Sequence, residues 1–178
     1  MKGNLKESLV KGLGKKNAIE FAQMANAHPQ IYQEFIDIIE SGESTPAMKA
    51  SWILGTAARI DALPAQPHGP VLIRLLEQAA IGGVQRELLK VLEVVKMDAD
   101  TEGKFIDYCF RLMRRPGIDV AIRYYCLRIL NRAVKKYPDL KGELILTMEE
   151  IQDWHNDVWK RHISKAIKKM SLSVKKKN

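Results

Sequence analysis

The residue types that usually carry chemistry are sparse here and share no local frame. His28, His68, His155 and His162 have no common ligand spacing, and Cys109 and Cys126 are not spaced as a metal knuckle. A zinc site needs about four nitrogen, sulfur or oxygen ligands converging tetrahedrally. His155 and His162 are seven residues apart, which could place them on one helical face, but a turn expected near Asn156-Asp157 breaks that face. There is no glycine-rich phosphate loop and no Ser/His/Asp set in a recognisable context. The reading is a protein with no catalytic residue, no metal, no cofactor and no small-molecule substrate.

Charge, by contrast, is strongly patterned. A cation returns every 37 residues, at Lys49, Arg86, Arg123 and Lys160, inside the segments AMKASWILGTA, VQRELLKVLEV, AIRYYCLRILN and VWKRHISKAIK. A charge repeated at a half-buried stacking position is worth keeping only if it is paired. These four are therefore expected to bond helix-end carbonyls or turn acids of the adjacent unit, rather than to form a ladder facing a phosphate-bearing partner. Two other columns of the same alignment change character along the chain. Leu54, Val91, Arg128, Lys165 and Ala58, Val95, Arg132, Lys169 pass from apolar to basic. Within one helix such positions lie at i and i+4, so Arg128, Arg132, Lys165 and Lys169 are expected to form a four-cornered cationic patch. Lys135, Lys136, Arg161 and Lys168 extend it.

The elements that must position these residues are helices. Apolar residues recur at helical spacing, as in Ile31, Phe35, Ile38 and Ile39 or Leu88, Leu89, Leu92 and Val95, and no segment reads as a strand. Glycine, proline and polar clusters divide the chain into about ten helices: near 4–13 and 16–27, then four pairs near 30–41 and 46–61, 70–81 and 84–97, 101–114 and 119–137, and 140–154 and 157–170. Residues 63–70, LPAQPHGP, cannot continue a helix. Gly82-Gly83 reads as a hinge. Start signals are Ser44 or Thr45, Asp100 or Thr101, and Asp119 or Asp157. Tandem units of this length are stacked helix pairs that bury their apolar sides only against neighbours. The fold expected is all-α, a right-handed α-α superhelix forming a single domain over residues 1–178. Residues 1–29 form N-terminal capping helices, 30–170 four helix pairs of period 37, and 171–178 a flexible basic tail.

The second helix of each unit resembles a HEAT-like repeat, best seen in Asp119-Val-Ala-Ile-Arg123 and Asp157-Val-Trp-Lys160. The resemblance covers about residues 30–170 and implies an armadillo-type helical scaffold. The unit departs from the pattern before Val84, where Gly82-Gly83 replaces the aspartate cap. The chain is also similar to small bacterial helical-repeat proteins of unknown function, some labelled adenylosuccinate lyase. That enzyme's serine-rich loop signature is absent, with Ser44-Thr-Pro-Ala-Met48 a fragment of it, and the chain is too short for its helical tetramer. HEAT-like DNA glycosylases hold a damaged base with aromatic residues and an acid. Trp154 and Trp159 around Asp153 and Asp157 give that third reading its residues, though Trp159 shares a column with Met48, Gln85 and Ile122 and is expected to pack.

Composition narrows the use of such a scaffold. The formal net charge is +8. Residues 1–100 hold 11 Lys/Arg against 12 Asp/Glu, whereas residues 101–178 hold 18 against 9. A neutral half joined to a basic half points to an acidic partner at one end; the alternative is a solvated basic face that serves solubility. No apolar stretch approaches the roughly 20 residues of a membrane span. The N-terminal MKGNLKESLVKGLGKK lacks the apolar core of a cleaved leader. Two reduced, buried thiols and a cytoplasmic location are expected. The function read from these residues is a non-catalytic scaffold binding a protein with an acidic surface through the basic face of its C-terminal repeats. The alternative is sequence-independent nucleic-acid binding through the same patch, since phosphate contacts need little more than a cationic surface.

Overall fold

The computed structural model describes residues 2–11 and 14–172. Among the described residues there are ten α-helices and no strand. The helices are α1 Lys2–Lys11, α2 Lys15–Ala27, α3 Pro29–Glu40, α4 Ser44–Ile60, α5 Gly69–Gln78, α6 Gly82–Leu92, α7 Ala99–Met113, α8 Val120–Lys136, α9 Leu140–Ile151 and α10 Asp157–Leu172. The expected end of the first helix at Leu13 and most of the expected tail, 173–178, lie outside the described residues. The chain divides into two compact units, Met1–Thr101 and Glu102–Asn178.

In the first unit α4 is the central helix, packed by α1, α2, α3 and α6. Its sequence suits that position. Ala47, Ala50, Ser51, Gly55, Thr56, Ala57 and Ala58 are small and buried, so several neighbours approach its axis closely. Helix α2 meets it with Ala18, Ala22 and Ala25, also small and buried, and the Asn26 side-chain amide donates to the Ala57 carbonyl at 3.0 Å. Larger side chains fill the remaining space, including Phe35, Ile53, Leu72, Leu88 and Leu89, all fully buried. Each such side chain stabilises the fold by roughly 1.5–3 kcal/mol relative to exposure.

Proline and glycine act at the junctions. Pro29 opens α3, where the missing N–H costs nothing. Gly42 takes φ of 70° just past α3, a left-handed conformation that glycine adopts without strain. Residues Leu63–His68, expected as a non-helical connection, form a 3₁₀ turn despite Pro64 and Pro67. Gln66 fixes this turn: its amide donates to the Ala62 and Val94 carbonyls and its oxygen accepts from the Lys96 N–H. The Gly82-Gly83 pair, expected as a hinge, is instead the first turn of α6. There a Cβ on Gly83 would lie 3.3 Å from Met48 Sδ, so the pair allows close approach to α4.

In the second unit α7 and α8 are joined at both ends. Glu102, near the start of α7, accepts from Lys136 and Tyr137 at the end of α8. At the opposite end Arg123 of α8 donates to the Arg115 carbonyl just past α7. Arg114 pairs with Glu143 and Glu150 of α9, each at 3.3 Å. Cys109 and Cys126 are free and buried in this core. Two starts in this unit differ from expectation, as does that of α4, which follows Glu43 without a side-chain cap where Ser44 or Thr45 is the expected cap. Asp98, not Asp100 or Thr101, caps α7, accepting from the N–H groups of Asp100 and Thr101. Asn156, not Asp157, caps α10 through the Trp159 N–H. Asp119 caps α8, accepting from Ala121 N–H at 2.9 Å.

Candidate binding surface

The four periodic cations sit within the first two turns of α4, α6, α8 and α10, and each is engaged within the protein. Lys49 donates to the Leu9 carbonyl of α1 at 2.7 Å. Arg86 bonds the Glu87 carboxylate at 3.2 Å, which also takes Lys90 at 2.6 Å. Lys160 pairs with Asp153 at 2.6 Å, across the turn that opens α10. Arg123 is the most enclosed, 1% exposed. Its guanidinium bonds the Arg115 carbonyl, meets His155 Nε2 at 3.1 Å and lies 4.7 Å from the Trp154 ring centroid. Burial lowers the guanidinium's affinity for its proton. Burial also lowers His155, the Arg123 charge lowers it further, and Asp119 opposes them. The balance favours the neutral ring, the form that can accept from Arg123.

The two columns that turn basic lie elsewhere on the same helices, except that Val95 follows the end of α6. Leu54, Ala58, Val91 and Val95 are buried in the first unit. Arg128, Arg132 and Lys135 on α8, and Arg161, Lys165, Lys168 and Lys169 on α10, are exposed. On each helix the cations recur at i, i+4 and i+7, which places them along one stripe. The helices meet where Tyr124 of α8 and His162 of α10 bring their rings to 5.4 Å. Arg128, one turn beyond Tyr124, lies 5.9 Å from the ring centroids of Tyr124 and Tyr125. Lys136 is exposed but paired to Glu102. Burial raises the Glu102 carboxyl, but bonds from Lys136 and Tyr137 and the charges of Lys136 and Arg132 outweigh it and hold the group below its usual range. Part of the positive charge at this end of α8 is thus answered within the protein.

Two of the remaining candidates, Trp159 and His68, make packing contacts. Trp159 is buried and its indole N–H donates to the Ile151 carbonyl at 3.1 Å. His68 stacks on Tyr32 with centroids 4.9 Å apart. No three His, Cys, Asp or Glu among the described residues gather as a metal site, and no described helix is long and apolar enough to cross a membrane. Three features escape a reading of the sequence. His155 stands 32 residues from Arg123 with no spacing to announce the contact. Glu87 is 3% exposed and its Oε2 has no hydrogen-bond partner, although it reads as an ordinary helix-surface acid. A groove of about 440 Å³ opens between α2 and α4, lined by residues from outside the periodic columns.

Comparison with known proteins bears on the whole arrangement. No curated protein and no solved structure matches this chain. A family profile described as a HEAT repeat domain matches residues 5–173, nearly the full length. The helix pairs, the periodic cations spent on internal contacts and this match agree, and the chain belongs to the HEAT repeat family.

Proposed function

We propose that the protein is a non-catalytic scaffold that binds a protein partner with an acidic surface through the exposed stripes of α8 and α10. The observation that carries this reading is the exposure of Arg128, Arg132, Lys135, Arg161, Lys165, Lys168 and Lys169 on two helices of one unit, within a half of the sequence that holds 18 Lys/Arg against 9 Asp/Glu. Long flexible cations on helix faces suit a surface read by charge, where complementarity speeds encounter and sets the partner class. Lys136 takes part less, being held by Glu102.

A second reading, sequence-independent nucleic-acid binding through the same stripes, is favoured by the Tyr124 and His162 rings beside Arg128. Rings among cations can stack on bases while the cations meet phosphates. A salt titration separates the two partners. Fluorescent polyglutamate and random duplex DNA are each titrated with the full chain between roughly 50 and 200 mM salt, where phosphate contacts lose affinity steeply. The protein-partner reading expects polyglutamate to bind at low salt and the variant Arg128→Glu/Arg132→Glu to lose it. Unchanged affinity in that variant overturns the assignment of the surface. Binding of DNA alone transfers the surface to nucleic acid.

A further inference from the structure

The groove between α2 and α4 lies within the first unit, and its lining has a different character from the basic stripes. Ala18 and Thr56, both small and buried, form its floor, and Ile19, Trp52 and Ile60 rise around them. The concavity therefore follows from side-chain size: small residues set between large ones on two packed helices. Ile19 and Ile60 remain 39% and 51% exposed, so the walls present aliphatic surface to water. Lys15 and Arg59 complete the lining, and no acid does. Among the described residues Arg59 bonds only neutral acceptors, its Nε to the Gly55 carbonyl and an outer nitrogen to the Thr56 hydroxyl, both at a long 3.3 Å. Among the described residues neither Lys15 nor Arg59 meets a carboxylate.

An apolar slot edged by two cations lacking carboxylate partners is complementary to one kind of surface. We infer that this groove docks an acidic segment of a protein partner, one that inserts a large apolar side chain beside Trp52 and sets flanking carboxylates on Lys15 and Arg59. Apolar burial supplies affinity and the charges supply orientation, the usual division at a small docking site. Two cations flanking isoleucines do not make a phosphate track, and the slot's open side admits a side chain projecting from a longer chain. This site is independent of the stripes on α8 and α10, because it requires an apolar anchor that polyglutamate lacks.

The probe is a fluorescein-labelled, capped peptide with phenylalanine and leucine between pairs of glutamates, titrated against the full chain by anisotropy. Saturable binding is expected. Lys15→Glu/Arg59→Glu, at exposed positions, should weaken it by about tenfold or more. Replacing phenylalanine and leucine of the peptide by alanine should weaken it comparably, while Arg128→Glu/Arg132→Glu should leave it unchanged. Circular dichroism establishes that each variant is folded, and Ile60→Ser offers a second groove variant without charge reversal. Equal affinity for wild type and both groove variants overturns the inference, as does the absence of saturable binding. Loss confined to Arg128→Glu/Arg132→Glu also overturns it, while leaving the basic face standing as a separate site.

Discussion

Gly55 shows how one residue can set the distance between two helices. A Cβ at this position would stand 2.6 Å from Glu87 Oε2 and 3.6 Å from Glu87 Cβ. The carboxylate has little freedom to withdraw, since it is 3% exposed and its other oxygen is held by Arg86 and Lys90. In an open helix, alanine for glycine gains about 1 kcal/mol. Here the intrusion either breaks the ion pairs or separates the helices, and overpacking of that kind costs about 1–3 kcal/mol. Gly55→Ala is expected to lower stability by about 1 kcal/mol net, read from the urea midpoint. A midpoint that is unchanged or raised shows that Glu87 moves freely. The same pair marks a limit of reading by sequence. Both residues sit at ordinary positions in their helical patterns, and only the packing of α4 on α6 makes a glycine and a buried acid depend on each other.

At the scale of elements, the second unit relies on Arg123 to tie the start of α8 to the turn after α7 and to the turn before α10. His155 serves there only while neutral. Its folded-state pKa lies below the ordinary value of 6.5, first through burial and then through the Arg123 charge, with Asp119 opposing. The unfolded chain therefore takes up the proton first. The stabilising contribution is complete above pH 6.5 and is lost as pH falls through 6.5 toward the folded-state value. His68, lowered by burial, acts in the same direction. The melting temperature should fall between about pH 7 and pH 5. His155→Gln, which keeps an acceptor without a titrating ring, should make that fall shallower; an identical profile in the variant shows that the Arg123 contact does not sense protonation.

The helices themselves were legible because apolar spacing, glycine and proline mark them independently of tertiary contacts. Caps were less so. Asp98, Asp100 and Thr101 stand close together, as do Asn156 and Asp157, and any of them has a suitable oxygen. Which one caps depends on which side chain reaches a free N–H, a matter of backbone path rather than residue type. Similarly, Pro64 and Pro67 rule out a regular α-helix but not the 3₁₀ turn that Gln66 pins in place.

At the scale of the whole molecule, the repeat that reveals the family also separates two roles for charge. Cations in the periodic column are used internally, while the columns that become basic only late in the chain remain exposed on α8 and α10. Both columns were visible by alignment of the sequence with itself, because a stacked repeat converts sequence period into spatial equivalence. The α2–α4 groove was not, since Lys15 and Ile19 come from a helix outside the repeat register and their neighbours are fixed only by folding. Amide-shift mapping of the isotopically labelled full chain, titrated with polyglutamate at low salt, tests the central claim most directly. The account predicts saturable shifts concentrated on α8 from Arg128 to Lys135 and on α10 from Arg161 to Lys169, fading as salt is added. Shifts centred on other helices, or none at low salt, would contradict it.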